Sequence, residues 1–380
     1  MSSVEFNGDN APTGPGKILF MNFTLTLLLV AVAGLGFLML YSVAGGSLTP
    51  WAAPQMVRFA LGAGIMLMVA MVPIRFWQNI SGLAYAASVL LLLLVESVGA
   101  VGMGAQRWID LGIIRLQPSE ITKLTVVMVL AAYYDRLDAR KISRPFWVAV
   151  PLALILLPTF LVLRQPDLGT SILLVLGGAV MMFIAGVHWA YFAALGTGGG
   201  GLAALAIMLR GTEWQPLKDY QYLRLDAYLN PEADPLGVGY HIIQSKIALG
   251  SGGWTGRGLM QGSQSRLDFL PEKHTDFIFT TLAEELGFVG ASSLLALYSL
   301  IIFYCIVSAL RTRDRFSCLL IFGIASTFFL FIAINISMVT GLMPVVGVPL
   351  PFISYGGSAL IMLMIGFGLV QSAHIHRPRS

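Results

Sequence analysis

The chain has 380 residues, of which 57% are hydrophobic and only 11% charged, and its mean hydropathy is +0.80. Soluble domains carry roughly 25% charged residues, so this composition excludes a soluble globular protein and indicates an integral membrane protein. The formal net charge of +4 reflects where a few basic residues sit and does not suggest a nucleic-acid partner. The two cysteines, Cys305 and Cys318, flank a basic segment expected in the cytosol, which argues against a disulfide.

Ten apolar segments follow one another along the chain, each about long enough for a helix of ~20 residues to cross a bilayer. They are residues 18–43, 55–74, 78–100, 119–135, 146–163, 168–186, 188–209, 276–309, 316–340 and 355–373. We therefore predict an all-α integral membrane protein of about ten transmembrane helices. Residues 1–16 form a polar cytosolic tail in this interpretation, and residues 17–380 form one membrane domain. The eighth segment is overlong, so we expect it to tilt or to extend past the bilayer.

Basic residues are distributed unevenly between the two sides of the membrane, and they favour the cytosolic side. With the N-terminus inside, the inner segments hold eleven of them: Lys17, Arg75, Arg136, Arg140, Lys141, Arg144, Arg311, Arg313, Arg315, Arg377 and Arg379. The short outer loops hold three: Arg107, Arg115 and Arg164. We therefore predict that both termini are cytosolic and that the long hydrophilic segment, about 210–275, is periplasmic. We expect this segment to form amphipathic pieces that lie along the membrane surface.

The second outer loop, GAQRWIDLGIIRLQPSEITK (104–123), begins a helix at its PSE sequence. Glu120 and Lys123 are three residues apart and share a helix face. A structural ion pair is the favoured interpretation, because paired charges are how membrane spans tolerate charge. The alternative is a cation held near the outer surface for an anionic ligand. Arg107 is a candidate phosphate contact, whereas Trp108 is more typical of an interfacial anchor.

Carboxylates follow at two further outer positions. Asp167, in the RQPD turn, is placed to cap the next helix, and the alternative is an outward-facing functional carboxylate. The stretch LDFLPEKHTDFIFTTLAEELGFVG (267–290) passes from a polar loop into a helix, for which Thr275 is predicted as the N-cap and Asp276 as a first-turn residue. Local sequence supports capping and chemistry about equally for Asp276. Glu284 and Glu285 lie inside the predicted span, an unfavourable placement whose role the sequence does not specify.

The absence of several common motifs limits the reactions that this chain could catalyse. The chain contains no D-x-D pair, no P-loop, no H-E-x-x-H and no G-x-S-x-G. An enzyme on the outer face, where nucleotides are not supplied, needs a donor that is already activated, and a lipid-linked pyrophosphate meets this requirement. The protein must then supply cations for the pyrophosphate and a base for the incoming hydroxyl. Asp276 is the best-placed base, since an apolar wall can raise its pKa from ~4 toward the working pH.

Five long motifs carry a family resemblance that covers the chain from about residue 17 onward. They are GAQRWIDLGIIRLQPSEITK, RQPDLGT, NPEADPLGVGYHIIQSKIALGSGG, GSQSRLDFLPEKHTDFIFTTLAEELG and GLMPVVGVPLPFISYGGSAL. Together they resemble the SEDS family (shape, elongation, division and sporulation). The PVVGVPLPFISYGGSAL stretch and the basic C-terminus are more similar to the rod-shape members than to the division members.

The resemblance implies an inverting peptidoglycan glycosyltransferase of the bacterial inner membrane that polymerises lipid II on the periplasmic face. The donor would be a disaccharide-pentapeptide linked to undecaprenyl pyrophosphate. The partners would be membrane lipids, the proteins of the elongation complex and a class B penicillin-binding protein, a transpeptidase. The family's essential aspartate corresponds to Asp276, and Arg107, Trp108, Lys123 and Asp167 match other motif positions. Positive charge for the leaving pyrophosphate would come from Arg107, from Lys123 or from a divalent cation, Mg²⁺ or Mn²⁺.

Two other functions compete with this interpretation. Arg58, Lys123, Glu284 and Glu285 are charged residues within predicted spans, which also suits a lipid II flippase. A flippase needs polar residues through the depth of the bundle, whereas a polymerase needs them concentrated outside. The other alternative is a non-catalytic scaffold that positions the penicillin-binding protein within the elongation complex.

Overall fold

The structure is a computed structural model that describes residues 14–98, 100–102, 105–110, 115–212, 215, 219–230, 237–267, 269–270 and 272–376. Its α-helices are α1 (Phe23–Val43), α2 (Ala52–Met71), α3 (Ile74–Val98), α4 (Pro118–Arg136), α5 (Pro145–Arg164), α6 (Leu168–Ala185), α7 (Trp189–Met208), α8 (Asp219–Leu229), α9 (Val238–Ser251), α10 (Ser263–Arg266), α11 (Ile278–Leu310), α12 (Arg315–Thr340) and α13 (Gly357–Ile375). Short 3₁₀ helices span Gly14–Phe20 and Ala139–Lys141. The predicted all-α architecture is confirmed.

Each of the ten predicted spans corresponds to one helix. Within the described residues, nine helices are long and apolar enough to cross a membrane: α1, α2, α3, α5, α6, α7, α11, α12 and α13. The remaining one, α4, has 19 residues, including Glu120, Lys123, Asp135 and Arg136. At 1.5 Å per residue it is about 28 Å long, close to the ~30 Å of a hydrocarbon core. It packs against α3, α5, α6 and α12, and Glu120 and Lys123 are buried among these helices.

The eighth predicted span is two helical halves rather than one straight rod. Gly287 has φ 68° and ψ −165°, which breaks α11 near its outer end. The loop after α9 supplies backbone partners to the break: the Phe288 and Val289 N–H groups donate to the carbonyls of Gly253 (2.9 Å) and Trp254 (3.1 Å). The loop approaches so closely that a Cβ on Gly256 would lie 2.1 Å from the Glu285 carbonyl oxygen. The break therefore explains why the apolar segment is longer than one span.

The second outer loop contains strands that the sequence did not predict. Strand β2 (Ala105–Asp110) pairs antiparallel with β1 (Ala100–Gly102) and with β3 (Arg115–Leu116). In the second pairing Ile109 lies opposite Leu116. The strands are too short for a recognisable alternation of polar and apolar residues. They place Arg107 and Trp108 at the outer end of the bundle, just before α4.

The long outer segment is built of short helices, as expected. Its α9 packs against α11 and α12, while α8 is fastened to the end of α7. The Arg210 guanidinium donates to both carboxylate oxygens of Asp226 at 2.6 and 2.5 Å, which lowers the pKa of Asp226. The Tyr222 hydroxyl donates to the Ala206 carbonyl at 2.7 Å. These contacts fix the position of α8 and of the side chains that it carries.

Candidate functional site

The loop before α11, residues 272–277, is held by its backbone. The carbonyl oxygens of residues 274–276 each accept one hydrogen bond: in order, from the Tyr355 N–H (2.9 Å), the Ser354 hydroxyl (2.6 Å) and the Asn335 side-chain amide (2.9 Å). Asn335 lies on α12 and also donates to the Val348 carbonyl at 2.7 Å. Three successive anchored carbonyls hold the backbone of this loop in place, which fixes the points at which its side chains leave the main chain.

The predicted helix start at this loop is wrong by a few residues. The Thr275 hydroxyl donates to a carboxylate oxygen of Glu272 at 2.7 Å and caps nothing, because α11 begins at Ile278 with Phe277 at its N-cap position. Asp276 therefore lies outside the helix. Within the described part of the chain, no hydrogen bond to the Asp276 carboxylate is found. The local-sequence explanation of this aspartate as a helix cap is thus excluded.

The Asp276 carboxyl has a pKa raised to about 6, against 3.8 ordinarily. Burial is the largest cause, because it disfavours the charged form, and the charges of Glu272 and Asp167 raise the pKa further. Arg224 opposes them and lowers the pKa. A carboxylate with a pKa of about 6 is mostly ionised at pH 7 and is a stronger base than an exposed aspartate.

Arg224 is the cation of this site that the sequence analysis missed. It lies on α8, which the Arg210–Asp226 pair fastens in place. Its sequence context, YLRLD, is that of an ordinary amphipathic surface helix. Only the fold brings this helix over the loop of Asp276. Sequence spacing gives no reason to prefer Arg224 over the other basic residues of the outer segments as a neighbour of Asp276.

The connection between α12 and α13 forms one wall of the site. Gly347 has φ 71°, and a Cβ added there would lie 3.3 Å from Oδ2 of Asp276. On its other side the connection touches the start of α6, where a Cβ on Gly169 would lie 2.7 Å from the Val346 carbonyl oxygen. The PVVGVPLPFISYGG motif is thus a wall against the candidate base, and glycine is required where it passes closest.

Asp167 caps α6, as its turn context favours. Its carboxylate accepts hydrogen bonds from the Thr170 N–H and hydroxyl, both at 3.0 Å, and from the Gln117 amide at 3.1 Å. The side chain is buried. Three donors fix the orientation of this carboxylate, and its charge raises the pKa of Asp276. Whether it also contacts substrate stays a prediction.

Arg107 holds the turn that carries Asp167. Its Nε donates to the Gln165 carbonyl at 2.9 Å, and a terminal nitrogen donates to the Pro166 carbonyl. Trp108, next to it on β2, is partly buried. The predicted phosphate contact for Arg107 stays a prediction, since part of its guanidinium already bonds to the protein.

Glu120 and Lys123 form the predicted ion pair. Lys123 Nζ lies 2.7 Å from Glu120 Oε1, and both side chains are buried. The ammonium also lies 4.2 Å from the centre of the Phe331 ring on α12. The pair lies beside a cavity of about 40 Å³ between α4, α12 and α13. The structural interpretation of this pair fits the geometry, and a contact with an anionic ligand stays a prediction.

A larger cavity, about 670 Å³, is lined in part by Lys273 and His274 of the 272–277 loop. Arg266 and Lys273 bring positive charge to its wall, and the His274 ring stacks on Trp51 with ring centres 3.9 Å apart. Burial lowers the pKa of His274. The loop of Asp276 therefore also borders a cavity with the positive charge of Arg266 and Lys273 on its wall.

Glu284 and Glu285, whose role the sequence left open, hold the outer segment to α11. Glu284 Oε1 accepts from the Ser263 hydroxyl (3.1 Å) and the Gln264 N–H (3.0 Å). Glu285 accepts from the Ser42 hydroxyl on α1 at 2.6–2.7 Å. The two carboxylates accept hydrogen bonds from donors of the loop and of α1, which the apolar chains of a lipid could not do.

A metal-binding cluster is not evident. Among the described residues, no group of three or more His, Cys, Asp or Glu side chains is placed to hold a metal ion. The described residues around Asp276 therefore do not form a complete protein ligand set for Mg²⁺ or Mn²⁺.

Comparison with known proteins gives consistent matches along the whole chain. The family model of the FtsW, RodA and SpoVE cell cycle proteins matches residues 21–379. The peptidoglycan glycosyltransferase MrdB of Escherichia coli K12 is 44% identical over 354 residues, which cover 93% of each chain.

Solved structures give the same result. A chain from a structure described as "Structural coordination of polymerization and crosslinking by a peptidoglycan synthase complex" matches with a TM-score of 0.78 and 34% identity, covering 93% of this chain and 97% of that one. The crystal structure of the rod shape determining protein RodA from Thermus thermophilus matches with a TM-score of 0.70 and 29% identity, covering 95% of this chain and 98% of that one.

Proposed function

The chain belongs to the FtsW, RodA and SpoVE family of cell cycle proteins, and from that premise we propose that it polymerises lipid II into the glycan strands of peptidoglycan. The resemblance drawn from the sequence motifs is thereby confirmed at the level of the family. The observation that carries the proposal is Asp276, whose carboxylate stands on an anchored loop, accepts no hydrogen bond from the described residues and has a pKa raised to about 6. The process served would be cell elongation.

The reaction we propose inverts the configuration at one sugar carbon. Asp276 takes the proton from the C4 hydroxyl of the acceptor N-acetylglucosamine, and that oxygen attacks C1 of the donor N-acetylmuramic acid. The new bond joins C1 to this oxygen, while the bond from C1 to the pyrophosphate oxygen breaks. The electron pair of that bond leaves with undecaprenyl pyrophosphate. General base catalysis of this kind typically contributes 10²–10⁴-fold to a rate.

Charge on the leaving pyrophosphate needs cations, and we assign this role first to Arg224. Lys123 is buried and paired with Glu120, and Arg107 is bonded to two backbone carbonyls, so both are already used by the protein. Arg224 lowers the pKa of Asp276, and this electrostatic effect on the proposed base supports the assignment. Stabilising the charge that develops on a leaving group is often the largest single contribution to catalysis.

The protein is a multi-pass membrane protein, and we propose the bacterial inner membrane with the Asp276 loop on the periplasmic side. The uneven distribution of basic residues supports this orientation. A class B penicillin-binding protein is the expected partner, because one similar structure is described as a complex that couples polymerisation with crosslinking. Other proteins of the elongation complex and membrane lipids would complete the assembly.

The flippase alternative is weakened by the partners of the charged residues. Lys123 pairs with Glu120, Glu284 and Glu285 bond to the outer segment and α1, and the Arg58 guanidinium lies 4.6 Å from the centre of the Tyr355 ring. Each is thus fixed locally, and together they do not form a path through the bundle. A scaffold without catalysis gains no specific support from the geometry.

The test is polymerisation by the purified full-length chain. Lipid II is supplied with and without the transpeptidase partner, and the products are separated on a gel that resolves glycan ladders. We expect ladders that depend on this chain and lengthen or strengthen with the partner. Transfer of fluorescent lipid II across liposomes, measured by dye quenching, without any ladder would instead support the flippase.

A further inference from the structure

The end of the bundle opposite Asp276 contains a second built feature, at the basic ends of α3, α4 and α5. Helix α5 carries prolines at positions 151 and 158. Proline has no N–H, so the carbonyls four residues earlier, on Trp147 and Leu154, lose their helical donors. The Tyr133 hydroxyl on α4 donates to the Trp147 carbonyl at 2.7 Å, and the Tyr85 hydroxyl on α3 donates to the Leu154 carbonyl at 3.0 Å. Two tyrosines thus satisfy both proline-freed carbonyls.

These braces hold α5 beside α3 and α4 without closing the space between them. The space is a cavity of about 320 Å³, at the lower end of the range for ligand sites. Its walls are largely apolar: Val129, Ala132, Tyr133, Trp147 and Leu154. Gly82 on α3 forms part of the wall, and a Cβ added there would meet no atom within 4 Å.

Positive charge lies at the mouth of the cavity. Arg136, in the last turn of α4, lines it together with Asn79 and Ser81. No carboxylate in the described part of the chain pairs with Arg136. The neighbouring Asp135 accepts a hydrogen bond from the Gln78 amide at 2.7 Å and is held against α3.

A second cation lies close by. The Lys141 ammonium is 5.3 Å from the centre of the Trp147 ring, so it sits over a residue that lines the cavity. Arg140 and Arg144 belong to the same connection but do not line the cavity. The cavity therefore combines an apolar interior with a cationic rim at a membrane boundary.

We propose that this cavity binds an anionic phospholipid of the leaflet on the basic side of the protein. The phosphate would lie against Arg136 with Asn79 and Ser81 as hydrogen-bonding neighbours, and part of an acyl chain would occupy the apolar interior. Basic pockets between transmembrane helices on the cytoplasmic side are a recognised type of site for anionic lipid headgroups.

Charge and shape together select this occupant. A soluble anion would use the cationic rim but would leave the apolar interior exposed to water, which is unfavourable at about 25 cal/mol per Å². A neutral lipid would fill the interior but would gain little from Arg136 and Lys141. A lipid with a net negative headgroup satisfies both parts, and phosphatidylglycerol is the simplest probe of that chemistry.

The proposal is tested by native mass spectrometry of the delipidated full-length protein, titrated with phosphatidylglycerol or with phosphatidylcholine of the same acyl chains. Arg136→Gln removes the charge at the rim, and Arg140→Gln is its matched control because it removes the same charge outside the cavity lining. Gly82→Leu fills the interior without touching a charge, and Gly82→Ala is its control.

We expect the wild type to bind one phosphatidylglycerol more tightly than phosphatidylcholine. Arg136→Gln should weaken that binding about fivefold, which corresponds to about 1 kcal/mol, while Arg140→Gln should change it less than twofold. Gly82→Leu should weaken both lipids, with Gly82→Ala near wild type. Arg136→Lys, which retains the charge, should recover most of the loss and so separates charge from folding.

Three results would overturn the proposal. Equal losses for Arg136→Gln and Arg140→Gln would mean diffuse attraction to a basic surface. Equal affinity of the wild type for the two lipids would mean no selection by charge. Unchanged binding in Gly82→Leu would mean that no lipid enters the cavity.

Discussion

The acidic residues around the start of α11 fall into two regions that differ in how their polar groups are satisfied. At Asp276 the backbone carbonyl is bonded while, within the described residues, the carboxylate has no hydrogen-bond donor. Eight and nine residues further on, Glu284 and Glu285 use their carboxylates to bond the outer segment and α1. An acidic group in a membrane protein is thus not functional merely because it is unusual. An acidic group whose carboxylate accepts no hydrogen bond from the protein is available to a substrate and is the better candidate for a catalytic role.

The first prediction tests the catalytic role of Asp276 in this comparison. Asp276→Asn keeps the size of the side chain and removes the base, so polymerisation of lipid II should fall by at least 100-fold. Because the backbone carbonyl of residue 276 still accepts from Asn335, the protein should remain folded. Glycan ladders at equal protein concentration measure the effect. Retention of more than a few per cent of wild-type turnover would remove Asp276 as the base.

Thermal unfolding of the same variant is its control. The pKa of Asp276 is raised from 3.8 to about 6 in the fold, so the folded state binds the proton more tightly than the unfolded state. The ionised aspartate therefore disfavours folding increasingly from pH 4 to about pH 6, and constantly above it. Asp276→Asn should be at least as stable as the wild type at pH 8, with the difference vanishing near pH 4.

The second prediction tests the structural role of Glu284. Glu284→Ala leaves the Ser263 hydroxyl and the Gln264 N–H without their acceptor, which should destabilise the protein by about 2 kcal/mol. Glu284→Gln keeps an acceptor oxygen and should recover most of that stability. Unfolding in detergent measures both variants. Equal destabilisation by alanine and glutamine would show that the charge of Glu284 matters, which would break the comparison.

The third prediction concerns the cation beside the base. Arg224→Gln should reduce the turnover of lipid II about tenfold by removing positive charge from the site. Since Arg224 lowers the pKa of Asp276, its loss should also move the acidic limb of the pH–activity profile to higher pH. Arg210→Gln on the same side of the protein is a control for α8 placement. Loss of activity without a shifted limb would mean that Arg224 acts only by positioning α8.

The fourth and smallest effect is expected from Gly347→Ala. The new Cβ would lie 3.3 Å from Asp276 Oδ2 on a backbone with φ 71°, so both the carboxylate and the connection must shift slightly. We expect a severalfold loss of turnover with a similar apparent affinity for lipid II. Gly186→Ala after α6, where φ is 101° and a Cβ meets no atom within 4 Å, is a matched control. Equal effects of the two substitutions would argue against a close wall at Gly347.

Hydrophobic segments and distribution of charge predicted the helices well, because a span must satisfy its own backbone and be apolar along its length. All ten predicted segments became helices, and even the charged α4 was placed to within a residue at each end. The break at Gly287 was missed, since glycine inside an apolar run is common in membrane helices and does not by itself indicate a kink.

The site was predicted only in part. Asp276 was singled out because its motif and its position at a membrane boundary agree, but its supposed cap, Thr275, bonds to Glu272 instead. Arg224 was missed because its proximity to Asp276 depends on how α8 folds back over the bundle. Long-range placement of this kind comes from tertiary packing, which sequence spacing does not encode.

The pH dependence of polymerisation by the wild-type protein tests the central claim most directly. If Asp276 is the base and its pKa is raised to about 6, turnover at saturating lipid II should fall below neutrality along an acidic limb with a midpoint near pH 6. An acidic limb that begins only near pH 4, or no limb down to pH 4.5, would contradict the account.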